Sequence, residues 1–251
     1  NLAVKKQMNE TTILWQEALQ ACARAEKAVV LQRFFKTGPG EYGEGDRFIG
    51  VMVPDSRRVA KTVVAAPLAV VDEMLCSAVH EHRLSALLAL VERYRRADNA
   101  TRAEICRFYL ARTDRINNWD LVDLSAPKIV GAEALRTGSL ATLRRLAASS
   151  AMWEQRIAVV STLTLIRADR LADALAIVEP LLYHSHDLMR KANGWMLREV
   201  GKRNLAVLTG VLDRLAPSLP RTTLRYAIER LDPVSRKHYM SLRFSEPVLD
   251  I

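Results

Sequence analysis

Trp119 and Asp123, within Asn117-Asn-Trp-Asp-Leu-Val-Asp123, stand four residues apart, so a helix carries both on one face. Arg156, closing Trp153-Glu-Gln-Arg156, follows Trp119 by 37 residues, and Trp195, in Asn193-Gly-Trp-Met-Leu-Arg-Glu199, follows Arg156 by 39. Intervals of that length match a helical-hairpin repeat, so residues distant in sequence can line one surface. Two indole faces and a carboxylate attract a cation, and an arginine attracts a phosphate. A shared face with all four suits a cationic, phosphate-bearing substrate. Each residue alone also has a plainer reading: tryptophans on repeat helices usually pack, Asp123 could sit in solvent, and Arg156 could pair with an acid of the next repeat. Trp15 and Trp153 have no partner in this pattern and are assigned to packing.

The other chemistry-bearing residues point elsewhere. His80-Glu-His82 and His184-Ser-His186 place their rings two residues apart, which a helix turns to different faces. No further ligand follows at zinc spacing, so no metal is expected, and His80-Glu81 is read as the opening of a helix. Cys22, Cys76 and Cys106 are odd in number and far apart, the usage of reduced thiols rather than a disulfide frame. Five of the ten glycines fall between Gly38 and Gly50. No Gly-Lys-Ser/Thr follows them, and Glu41, Glu44 and Asp46 would repel phosphate. Residues 36–54 are therefore read as a long inter-helix loop, not a nucleotide cradle, and no cofactor is expected.

The elements that must position these residues are helices. Leu84, Leu87, Leu88 and Val91 recur near a period of 3.6, and residues 157–166, 171–182, 205–215 and 224–231 behave alike. Breaks fall at Asp98-Asn99, Gly138-Ser139, Asp169, Ser185-His-Asp187, residues 217–220 and Asp232-Pro233. No long alternating run predicts a sheet. Arg83, Asp120, Arg156 and Lys191 mark similar points of successive helices, at spacings of 37, 36 and 35. That pattern predicts an all-α chain: an α-solenoid of HEAT-like two-helix repeats forming a single domain over residues 1–251. One helix of each repeat would line a concave ligand-bearing face, and in this register Trp119, Asp123, Arg156 and Trp195 share it.

Hydrophobic residues make up 49% of the 251, ample for a continuous core. The apolar run at residues 63–71 contains Pro67 and falls far short of the ~20 residues of a membrane span. No charged-then-apolar leader precedes a small-residue cleavage site, so a cytoplasmic protein without membrane contact is expected. The net charge of +9 is unevenly placed: from Arg190 to Arg243 twelve Lys/Arg meet four Asp/Glu, against 25 and 22 in residues 1–189. A basic C-terminal third is the footprint of a polyanion partner, most commonly nucleic acid, with a solvated basic surface as the alternative. Arg190, Lys191, Arg221 and Arg225 are its candidate phosphate ligands beside Arg156.

Five stretches carry a resemblance: Gln32-Arg-Phe-Phe-Lys36, Phe48-Ile-Gly-Val-Met-Val-Pro54, Trp119-Asp-Leu-Val-Asp123, Trp153-Glu-Gln-Arg156 and Ala192-Asn-Gly-Trp-Met-Leu-Arg-Glu199. In order and spacing the chain resembles the AlkD-type DNA alkylation repair glycosylases, a bacterial HEAT-like solenoid family, over roughly residues 30–231. The resemblance implies a DNA glycosylase that removes cationic N3- and N7-alkylpurines from double-stranded DNA, as a monomer without cofactor, acting at the nucleoid. It implies that Trp119 and Asp123 flank the deoxyribose, that Trp195 is a second aromatic at the lesion, and that Arg156 clamps the backbone. It also implies that the lesion is engaged from its backbone while the base stays in the duplex. Two departures touch substrate preference: the loop at residues 38–46 is longer, and Phe34 stands where the family has a tyrosine. Relatives that keep the fold but lose the catalytic residues supply the alternative of a non-catalytic DNA-binding repeat protein. A HEAT-type protein scaffold, without salt-sensitive DNA affinity, is the third reading.

Overall fold

The computed structural model describes residues 8–242, so Arg243, the last cation of the basic third, lies outside the described residues. The regular elements among those residues are all helices; their one β-type pairing is an isolated bridge between Arg47 and Val79. Among the described residues no helix is long and apolar enough to cross a membrane. The described residues gather into two compact units, the first ending at Ile129 and the second starting at Val130.

The first unit contains α1 (Glu10–Gln20), α2 (Ala25–Phe34), α3 (Val53–Thr62), α4 (Leu68–Leu75), α5 (His80–Arg96), α6 (Asn99–Leu110) and α7 (Trp119–Ala126). Its centre is α5, whose residues His80 to Val91 are all buried, with α3, α4 and α7 packed around it. The 3.6-residue stripe of Leu84, Leu87, Leu88 and Val91 buries one face, and Ser85, Ala86, Ala89 and Leu90, small or apolar, let the other faces sink as well. Trp15 of α1 reaches the same core and donates its indole N–H to Ser85 Oγ at 2.9 Å, the packing role expected of it. Polar caps set the ends: Asn9, Asp98 and Asn118 accept backbone N–H groups at the starts of α1, α6 and α7.

The second unit contains α8 (Ala132–Thr137), α9 (Ala141–Ala147), α10 (Met152–Arg167), α11 (Leu171–Val178), α12 (Asp187–Arg203), α13 (Leu205–Leu215), α14 (Arg221–Ala227) and α15 (Pro233–Ser241). Here α10 packs on α12 and α12 on α14, the succession of stacked helices that an α-solenoid requires. Gly194 permits the second contact, since a Cβ there would lie 2.5 Å from Thr223 O and from Tyr226 Cβ. Arg83, Asp120, Arg156 and Lys191, the repeat marks, all fall in the first two turns of a stacking helix: α5, α7, α10 and α12. Two expected helices end early. Leu171–Val178 gives way to a 3-10 turn because Pro180 lacks the amide that the next turn needs. α14 stops at Ala227, and Asp232, held extended before Pro233, starts the next helix instead.

Candidate functional site

Asn118 caps α7 by accepting the Trp119 amide at 2.8 Å, so Trp119 is the first helical residue and Asp123 sits one turn later. The spacing places both where it predicts: each is half-buried, and each lines the same cavity of about 350 Å³ in the first unit. The other walls are mostly apolar and aromatic, notably Phe34, Phe35, Phe48 and Leu124, with His80, Glu81 and Asp120 among them. Trp119 stacks on Phe35 with ring centres 5.0 Å apart, Phe35 on Phe48 at 4.9 Å, and Phe48 on His80 at 4.5 Å. Phe34 meets Trp119 edge-on at 5.9 Å and is 60% exposed, so it forms the pocket's lip rather than its floor. The indole N–H of Trp119 donates to the Tyr42 hydroxyl at 3.3 Å, which brings in the glycine-rich loop.

That loop, residues 35–52, is held by buried charge. His80 bridges Asp46 of the loop (Nδ1 to Oδ2, 3.0 Å) and Asp120 of α7 (Nε2 to Oδ2, 2.8 Å), while Arg83 donates to Asp46 Oδ1 at 2.5 Å. Glu81 accepts the backbone N–H groups of Ile49, Gly50 and Val51 at 3.1, 2.8 and 3.2 Å. Burial opposes a charge on His80, but the Asp120 carboxylate and the hydrogen bonds to both acids prevail and raise the ring to about 8. Burial also pushes the Asp46 carboxyl up, yet the His80 hydrogen bond and the Arg83 charge hold it below the usual carboxylate range. For His82 burial is unopposed and lowers the ring to about 4.

The sequence pattern points to only part of this cluster. His80-Glu81 does open a helix, but Asp46, read as one of three phosphate-repelling loop acids, turns inward and is 5% exposed. Glu41 and Glu44 instead bond within the loop, to the amides of Gly38 and Gly40. Gly43 lets the loop close, since a Cβ there would lie 2.4 Å from Phe35 O. The available signal was an acidic loop followed by a helix that starts His-Glu-His-Arg. Three carboxylates line the pocket: Glu81, bonded to the loop amides, Asp120, bonded to His80, and Asp123, one helical turn after Trp119. Among the described residues, no group of three His, Cys, Asp or Glu is placed to hold a metal.

Arg156 and Trp195 belong to the second unit. Arg156 is 5% exposed and donates to Leu188 O at 2.6 Å, bracing α10 against the start of α12. Trp195 is half-buried and donates its indole N–H to Glu199 at 3.1 Å. Lys191 pairs with Asp187 at 2.8 Å, Arg190 donates to His184 O at 3.0 Å, and Arg221 donates to Met240 O at 2.6 Å. Arg225 differs. With Arg236 and Lys237 it lines an open cavity of about 500 Å³ floored by Ile228, Pro233 and Met240. Among the described residues none of these three cations has an ion-pair partner.

Residues 15–231 match the model of a family described as DNA alkylation repair enzyme, a span that includes the whole pocket and the basic cavity up to Ile228. A solved structure described as a predicted DNA alkylation repair enzyme from Enterococcus faecalis aligns with a TM-score of 0.66 at 17% identity, covering 84% of this chain and 97% of its own. At that identity the likeness is one of fold. Among curated proteins, no sequence matches the chain.

Proposed function

The chain belongs to the DNA alkylation repair enzyme family, and from that premise we propose that it is a DNA glycosylase for purines alkylated at N3 or N7 in double-stranded DNA. Alkylation at these positions fixes a positive charge on the base, which makes it a good leaving group without protonation. What the enzyme must supply is stabilisation of the sugar cation. The C1′–N bond breaks and the base departs neutral with the electron pair. Water then attacks C1′ and loses its proton to a carboxylate or to solvent.

The observation that carries this reading is that Asp123 and Trp119 line one largely aromatic and aliphatic pocket, whose other polar lining residues, His80, Glu81 and Asp120, are bonded to one another or to the loop. A carboxylate in such surroundings opposes a developing positive charge more strongly than it would in water, and it can also orient the attacking water. Trp119 and the exposed Phe34 offer ring faces to a cationic lesion, each contributing about 0.5–2 kcal/mol. Arg225, with Arg236 and Lys237, supplies phosphate affinity that falls with salt. Arg190, Lys191 and Arg221 add to it from the same basic third, whereas Arg156, 5% exposed and bonded to Leu188 O, braces the start of α12. In this reading the base stays in the duplex and the enzyme acts from the sugar side.

Release of 3-methyladenine and 7-methylguanine from methylated duplex tests the proposal. The wild type is expected to release at least one, and Asp123→Asn to fall about 10²–10³-fold while still binding duplex. No release of either base by the wild type overturns the activity, and an undiminished rate in Asp123→Asn overturns the role of the carboxylate.

A further inference from the structure

We propose that His80 is a positioning residue for the pocket: one protonated imidazole, shared between Asp46 of the loop and Asp120 of α7, holds Trp119 and Asp123 against the aromatic wall, and loss of its proton loosens them. The inference rests on the glycosylase reading only for its rate measurements.

Both ring nitrogens of His80 face carboxylate oxygens, at 3.0 and 2.8 Å. A neutral imidazole has one N–H, so one of those carboxylates would then face a lone pair in a dry site. The charged groups around the ring are Asp46 from the loop, Asp120 from α7 and Arg83 from its own helix; α2 is followed at its end only by the phenyl ring of Phe35. Two negative and two positive charges close this buried cluster. Removing one proton leaves a net negative charge buried there, which is costly enough to shift structure. The raised titration of the ring, to about 8, places that event just above neutrality.

Two routes connect His80 to Trp119. Along the backbone, Asp120 follows Trp119 directly, and the Asn118 side chain that caps the Trp119 amide also donates to Asp46 at 3.4 Å. Through the rings, His80 ends the stack that runs by Phe48 and Phe35 to Trp119. A shift of the ring is therefore felt on both sides of the indole, one helical turn from Asp123.

The experiment is single-turnover base release from methylated duplex between pH 6 and 10, together with the Trp119 fluorescence (wild type minus Trp119→Phe) over the same range. In the wild type both are expected to change as pH rises through about 8, the rate falling on the order of tenfold, since misplacement of a reacting group by about 1 Å costs up to 10²-fold. His80→Gln should lose both transitions and sit near the wild type's alkaline level, with duplex affinity within about twofold. Asp46→Asn should also lose the alkaline fall but keep a higher rate than wild type at pH 9, because an amide can donate to the neutral ring and still accept from Arg83. Any fall that persists in all three proteins belongs to the substrate. If His80→Gln does not fold, Asp46→Asn decides. If no protein releases base, the activity fails and the Trp119 signal alone decides; a signal independent of pH, or a transition kept in Asp46→Asn, overturns the proposal.

Discussion

The two units use charge in opposite ways. In the first, Asp46, His80, Glu81, Arg83 and Asp120 are all buried, and together they fasten a loop and the start of α7 to α5. In the second, the cations of the basic third stand largely at the surface. Many meet a carboxylate there, as Lys202 meets Glu199 and Arg203 meets Asp169, while Arg225, Arg236 and Lys237 share a cavity without one. Buried pairs are costly to disturb, about 3–5 kcal/mol when one partner is removed. Exposed pairs are worth about 0–1 kcal/mol and are screened by salt. The first arrangement fixes shape; the second attracts from a distance. Under the proposed function, which would require both an accurately placed carboxylate and capture of a polyanion, the two arrangements would be complementary.

Glu81→Gln is where this contrast has its largest expected effect. The carboxylate accepts three successive backbone N–H groups on Oε1 and that of Ile49 again on Oε2, whereas an amide keeping Oε1 in place turns its N–H toward Ile49 and weakens the charge that all three donors face. A loss of about 3 kcal/mol of stability is expected, together with a fall in Tm on the order of 10 °C, read by thermal and denaturant unfolding. A change below about 0.5 kcal/mol would mean that the nest is incidental and that the loop is held by its own turns.

The next effect is on pH. The unfolded chain's histidines titrate near 6.5, and His80 titrates at about 8 in the folded state, so its stabilisation is complete below 6.5 and lost as pH rises through 8. The shift corresponds to roughly 2 kcal/mol. His82 has the opposite sign: folding holds it neutral down to about 4, so stability is lost as pH falls from 6.5 toward 4. Asp46, held low by His80 and Arg83 against its burial, adds a loss in the same acid direction. Tm is therefore expected to peak between about pH 6.5 and 7.5 and to decline on both sides. His80→Gln should remove the alkaline decline and leave the acid one. A wild-type Tm that is flat from pH 7 to 9 would show that the cluster holds no proton.

How much of this was legible in the sequence depends on distance along the chain. The i,i+4 pair on α7 was legible because a helix fixes it locally, and so were the caps at Asp98, His186 and Asp232. The pocket's other half was not. Phe34 drew notice as the counterpart of a family tyrosine, yet Phe35 is the ring stacked on Trp119, and no periodicity links residues 84 apart. Asp46 was misjudged for the same reason: nothing local shows that a loop acid will turn toward a histidine 34 residues on. Arg156 shows the limit of register, which places it on a helix face but does not reveal that the start of α12 will cover it.

The smallest expected effect per residue lies among the surface cations, and it can overturn the contrast from the second unit's side. Each phosphate that a cation neutralises adds about 0.9 to the slope of log affinity against log salt. Replacing Arg225, Arg236 and Lys237 together by Ala should lower that slope by about 2 to 3, measured on undamaged duplex, with unfolding stability nearly unchanged because nothing pairs with them among the described residues. Lys191 supplies the matched case. Asp187→Asn with Lys191→Gln removes a whole pair, the two groups now 2.8 Å apart, and leaves the net charge as it was. If paired cations stay paired when DNA binds, no counterion release is lost and the slope should move by less than about 0.3. A fall near 0.9 would mean that Lys191 leaves Asp187 for a phosphate on binding. The second unit's ion pairs would then be a reserve recruited by the duplex, and only the first unit would carry charges fixed in advance.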